Sequence, residues 1–154
     1  MTTDALEDGI GVETSSPVDE ADALEALLDD AHPVKIEAAE WARTQLEDPN
    51  LADRDLACEF WDDGWQRLAD RGAVGLLVDP VYGGGGASLI TTLLTIEGMG
   101  LGTRDDGLIL ALSTQVLTMQ LTLERFGTDE QKATWLPELI TGRAFGAFCM
   151  SELE

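Results

Sequence analysis

The chain has 154 residues, 44% of them apolar, and 30 acidic side chains against 9 basic ones give it a formal charge of -21. That length suffices for one domain with a buried core. The charge excludes a nucleic-acid partner, because nothing neutralises phosphate, and an anionic membrane surface.

Residues 1–15 lack periodicity and are expected to be a disordered acidic leader. Ser16-Pro17 is a good helix start, with Ser as cap and Pro at the first helical position. Leu24, Leu27 and Leu28 form a narrow apolar stripe behind it. A second helix is predicted from Pro33 to Glu47, with Val34, Ala38, Trp41, Ala42 and Gln45 on one face. Asp48-Pro49-Asn50 breaks it. A third is predicted over Asp55–Arg71, with Leu56, Phe60, Trp61, Gly64, Trp65 and Leu68 on its apolar side and Gly72 as its stop. Aromatics at that spacing read as core packing.

Residues 73–78 are small, apolar and expected to be extended. The run Gly83–Gly86 invites a phosphate-loop reading, but no Gly-Lys-Ser/Thr and no dinucleotide spacing accompanies it. It reads instead as a sharp loop with positive φ and close backbone approach. Ser88 caps a fourth helix, 88–101, whose end Gly98, Gly100 and Gly102 weaken. The fifth, 106–126, is apolar on most faces and is expected at the centre of the bundle. Gly127 offers a left-handed stop. Thr128 and Gln131 form a capping-box pattern for the next helix, and Gly142 is a second stop. Residues 144–151 suit a strand. The fold class is therefore all-α, a bundle of about five or six helices with a short terminal β-strand stub.

Cys58 and Cys149 have no metal spacing and read as reduced, buried thiols. The single histidine, His32, beside Pro33, reads as a surface residue, so zinc and histidine triads are not expected. No signal peptide is visible, and residues 107–123 are too polar to span a bilayer. A cytoplasmic location is expected.

Two motifs carry a family resemblance. The first is Gly72-x-x-Gly75-Leu76-x-Val78-x-Pro80-x-Tyr82-Gly83-Gly84-x-Gly86, followed by Glu97. The second is Gly127-x-x-x-Gln131-Lys132, then Leu136-Pro137-x-Leu139-x-x-Gly142, then Met150-Ser151-Glu152. In this order and separation they resemble the N-terminal part of the acyl-CoA dehydrogenase family, over roughly residues 35–152. The resemblance implies a helical first domain, 16–143, and the first strand of a β-domain in 144–154. It implies oxidation of the Cα–Cβ bond of an acyl thioester, held by coenzyme A or by a carrier protein, with FAD as hydride acceptor. It matches Phe148, Met150 and Ser151 to positions touching the isoalloxazine, and places the glycine loop near the acyl chain and a subunit contact.

Where the family continues with Pro and then Gly-Ser-Asp, this sequence has Leu153-Glu154. The catalytic glutamate and most flavin-phosphate contacts are expected beyond this chain, so no catalytic residue is assigned. Glu97 and Glu152 are expected to be structural or supporting. A partner of stated kind follows: a C-terminal subunit that completes the FAD site, or further copies of the chain. The chain alone should be colourless and the completed complex yellow. Two alternatives stand beside this: a non-catalytic helical interaction module, and a piece of a related flavin monooxygenase or oxidase.

Overall fold

The computed structural model describes Asp22, Glu25, Asp29, residues 32–147 and Cys149. The leader 1–15, most of the helix expected after Ser16-Pro17, and residues 148 and 150–154 lie outside the described residues.

Helix α1, Pro33–Gln45, begins with His32, whose Nδ1 accepts from the Val34 N–H at 3.2 Å. The histidine thus satisfies one of the free amides of a helix start. The helix buries Lys35, Ala38, Ala39 and Ala42, so its inner face is turned one position from the expected one. The predicted third helix is two helices. α2 covers Leu51–Ala57 and α3 covers Asp62–Asp70. Cys58, at φ 56°, closes α2 in the left-handed conformation. Leu56 is consequently 84% exposed rather than part of the core. Both cysteines are exposed free thiols, contrary to the buried pair expected.

Residues 73–78 are not extended. Ala73–Gly75 form a 3-10 turn, and Ala73, Val74, Gly75 and Val78 are buried. The glycine loop folds back over them. The amides of Gly84, Gly85, Gly86 and Ala87 donate to Asp79 O, Gly75 O, Val78 O and Leu76 O. Gly83 and Gly86 have φ of 90° and 62°. A side chain at Gly84 would sit 2.6 Å from Val78 Cβ. The close-approach reading therefore holds, and these loop amides are already spent on backbone.

Helix α4, Leu89–Gly102, starts at Ser88, whose hydroxyl accepts from Thr91 N at 3.1 Å. Its glycines do not end it early. Gly98 and Gly102, one turn apart, press against α1: a Cβ at Gly98 would lie 2.8 Å from Ala38 Cβ, and one at Gly102 2.6 Å from Ala42 Cβ. Small residues facing small residues bring the two backbones together, and α1–α4 is the most extensive contact between helices. Beside that seam Lys35, 1% exposed, reaches Glu97 Oε2 at 3.0 Å. Glu97 is thus a structural pairing group.

The central rod runs from Asp106 to Phe126. It comprises α5, Asp106–Ser113, a π-helical stretch, Thr114–Gln120, and α6, Leu121–Phe126. Leu108, Leu112 and Val116 are buried at four-residue steps. Gly127, at φ -71° and ψ 150°, leaves the rod in extended rather than left-handed form. α7, Asp129–Ile140, has the expected capping box. Thr128 N donates to Gln131 Oε1 at 2.8 Å, and Gln131 N to Thr128 Oγ1 at 3.2 Å. Counting 106–126 as one rod, the described residues form six helices, an all-α bundle.

Arg54 ties three corners of the bundle together. It bonds Asp48 Oδ2 through Nε at 2.8 Å, Asp105 Oδ2 through Nη2 at 2.8 Å, and the Glu59 carbonyl through Nη1 at 3.0 Å. Asp105 in turn caps α5 through Leu108 N at 2.9 Å. Burial alone would raise the Asp48 carboxyl. The Asn50 N–H, the Arg54 hydrogen bond and the Arg54 charge outweigh it and hold the group below the usual carboxylate range. A carboxyl depressed on folding stabilises above its unfolded pKa, and that stability is lost as pH falls through the folded value. Asp48→Asn should therefore be less stable than the parent at neutral pH, and the gap should close below about pH 4. Urea midpoints from pH 7 to pH 3 check this. Taking the difference between the two proteins cancels the relief of repulsion that acid brings to every other carboxylate.

Candidate functional site

Parts of the two motifs meet where the chain leaves α7, with Gly75 and Gly83 set against Ile140. Gly142, at φ 71°, turns the chain out of the helix, and its N–H donates to Leu139 O at 3.2 Å. Any other residue there would be strained, and its Cβ would lie 2.9 Å from Trp65 Nε1. Trp65, 2% exposed, donates from Nε1 to the Gly142 carbonyl at 3.1 Å. Its ring stacks on Phe145 with centroids 4.9 Å apart. Phe60 completes the group edge-on to both, at 6.0 Å from Trp65 and 5.6 Å from Phe145. The aromatics of the predicted third helix therefore do more than fill the core. Trp65 is core, while Phe60 and Phe145 are 43% and 57% exposed.

The same segment also meets the π-helical stretch. Gln115, 2% exposed, points its amide at residues 144–146. Its Oε1 accepts from Gly146 N at 2.9 Å, and its Nε2 donates to Ala144 O at 3.1 Å and to Leu139 O at 3.4 Å. A Cβ on Gly146 would lie 2.7 Å from Met119 Cγ, so this glycine lets the segment lie flush on the helix. Gln120, at the end of the same stretch, is fully buried, and neither of its amide atoms has a hydrogen-bond partner among the described residues. An unpaired buried amide costs about 1–3 kcal/mol. A π-helical stretch is itself rare and occurs mostly at functional sites.

Among the described residues, 144–147 form no strand. Their backbone is met by the Gln115 side chain and not by a neighbouring strand. Of the site residues expected from the sequence, Phe148, Met150 and Ser151 lie outside the described residues. Gln115 and Trp65 were missed as site residues. Gln115 had a signal: a polar side chain on a helix that is apolar almost all round.

A cleft of about 720 Å³ lies between α3, the glycine loop and the α7 exit, lined in part by Arg71, Gly84, Ile140 and Arg143. Its two arginines are engaged, Arg71 with Glu37 and Arg143 with both oxygens of Glu138. Hydrogen bonding to Arg143 is the main cause that holds Glu138 below the usual carboxylate range.

The fold defines a class: an all-α helical domain whose last helix is left through a turn at Gly142. The chain belongs to the acyl-CoA dehydrogenase family, matching the family's N-terminal domain over residues 29–143. It is similar to the short/branched chain specific acyl-CoA dehydrogenase of Bos taurus, 31% identical over 129 residues, which are 84% of this chain and 29% of that protein. It is similar to the L-prolyl-[peptidyl-carrier protein] dehydrogenase of Pseudomonas fluorescens, 30% identical over 90 residues, 58% of this chain and 24% of that protein. Among solved structures, the prolyl acyl carrier protein oxidase AnaB superposes with a TM-score of 0.68 at 29% identity, covering 73% of this chain and 29% of that one. The chain thus spans less than a third of the length of these relatives. No helix among the described residues is long and apolar enough to cross a membrane.

Proposed function

We propose that this chain forms the N-terminal part of an FAD-dependent dehydrogenase that oxidises the Cα–Cβ bond of an acyl thioester. Family membership over residues 29–143 is the observation that carries the reading. The domain is read as ending at 143, with residues 144–154 belonging to the flavin side. The residues present fit a flavin on the chemistry of their side chains and on the way they are approached. Phe148 offers an aromatic face, Met150 a soft thioether and Ser151 a hydroxyl donor. The backbone leading to them is held by Trp65 at Gly142 and by Gln115 at Gly146.

When bound, FAD supplies the hydride acceptor. The task of this chain is then to present Phe148 and the main chain of 150–151 to the isoalloxazine and to keep water from its face. No glutamate here is given the role of base. Glu97 is engaged by Lys35, and a base must stand within hydrogen-bond reach of the proton it removes. That group is assigned to the portion of the family that this chain does not span. The relatives include both coenzyme A and carrier-protein dehydrogenases, and both thioesters remain in the reading.

The test is colour. The chain is co-expressed with the part of the Bos taurus relative that it does not span, and the purified complex is scanned for flavin absorbance. A yellow complex with one flavin per chain is expected. A complex that assembles and stays colourless with added FAD would overturn the reading in favour of a non-catalytic interaction module. That second reading draws on exposed apolar side chains on the helix surfaces, Leu110, Phe126 and Trp135 among them.

A further inference from the structure

We infer that Gln115 is a positioning residue for the flavin-facing segment: its buried side-chain amide stands in for a missing β-strand and sets the register of residues 144–146. The inference rests on the flavin reading above for its functional half, and on geometry alone for its structural half.

The pattern of bonds carries it. One carbonyl, Ala144 O, and one N–H, Gly146 N, two residues apart on one edge, are both engaged by one amide. In a parallel ladder one residue of a neighbouring strand, through its own N–H and its own C=O, engages two such groups in the same way. The orientation of the amide is settled by its partners, since only Oε1 can accept from Gly146 N and only Nε2 can donate to the two carbonyls. The third bond, to Leu139 O, fastens the same amide to the last turn of α7. The three contacts therefore lock the segment both to the central rod and to the helix it leaves.

Register matters because side chains alternate along an extended chain. A slip of one residue would exchange the outward set, Phe145 and Ala147, with the more covered set, Ala144 and Gly146. Trp65 cannot set the register alone. It holds Gly142 by one bond and stacks on Phe145 without directional bonding. The glycine at 146 suits the arrangement, since a side chain there would meet Met119 and lift the N–H away from Gln115.

The test compares the parent with Gln115→Ala and Gln115→Met. The second keeps the length and fills the space but loses both the acceptor for Gly146 N and the donor to Ala144 and Leu139. Two readouts are taken: amide exchange at Gly146 in the chain itself, and FAD affinity with the visible flavin spectrum in the co-expressed complex. Gln115→Ala should keep its helix content, speed Gly146 exchange about tenfold, weaken FAD by a similar factor and shift the flavin band. Gln115→Met should speed exchange and weaken FAD as the alanine variant does, and because it leaves no cavity it keeps the test open if the alanine variant does not fold. Unchanged exchange at Gly146 would sink the clamp. Faster exchange with parental FAD affinity and spectrum would sink the positioning role. A parent complex that is colourless while Gly146 is protected would instead remove the flavin reading, and the functional half with it.

Discussion

Gly98→Val is expected to be among the most damaging single changes in this chain. A Cβ at Gly98 meets Ala38 Cβ at 2.8 Å and the Lys35 backbone at closer than contact distance. Gly102, a turn later, is pinned in the same way against α1. Valine would wedge α4 from α1 along their whole seam, and overpacking of this kind costs about 3 kcal/mol. Alanine is the sharper comparison. In a free helix, Gly→Ala gains about 1 kcal/mol of propensity. Here the nearest obstructing atom is the Lys35 carbonyl oxygen, and neither it nor the Ala38 Cβ can swing aside, so Gly98→Ala should also destabilise. The reading is a thermal melt of both variants. An alanine variant as stable as the parent or more so would mean that the helices do not approach this closely.

Trp65→Ala should follow closely in cost, at about 3–5 kcal/mol for a buried tryptophan, and should also disturb function. It empties the space under α3, strips the Gly142 carbonyl of its donor at 3.1 Å, and frees Phe145 from its stacking partner. Trp65→Phe separates the effects. It keeps a stacking ring but loses the N–H and part of the indole's volume, so the Gly142 carbonyl is left short of a bond, at about 1–3 kcal/mol, with a smaller cavity than alanine leaves. Urea unfolding orders parent, Phe and Ala. In the flavin-bearing complex the alanine variant should also hold FAD less tightly, because the α7 exit is no longer held on its aromatic side. A phenylalanine variant as unstable as the alanine variant would show that the hydrogen bond, and not the packing, dominates.

Much of this was legible without coordinates, for local reasons. The capping box at Thr128 and Gln131, the Ser88 cap, the break at Asp48-Pro49-Asn50 and the stops at Gly72 and Gly142 depend on residues within a few positions of one another. The two motifs, in order, pointed to the family that the comparison over 29–143 shows. The misses share a cause. Glycines 98 and 102 looked like weak helix and are a packing seam, because their value depends on Ala38 and Ala42 some sixty residues away in sequence. The third helix looked continuous because its apolar spacing runs through Cys58, yet the left-handed turn there aims α3 so that Trp65 reaches Gly142. The cysteines looked buried by type and are exposed by place.

The amino-acid sequence alone determined the helical class, most element boundaries, the acidic character and the family. Those follow from periodicity, caps, composition and motif spacing, which act over short stretches of chain. Only the tertiary structure decided that Gln115 and Trp65 flank the exit at Gly142, and that the glycine-loop amides are spent on their own backbone. Each pairs groups far apart in sequence, and no local pattern says which carbonyl a buried amide will find.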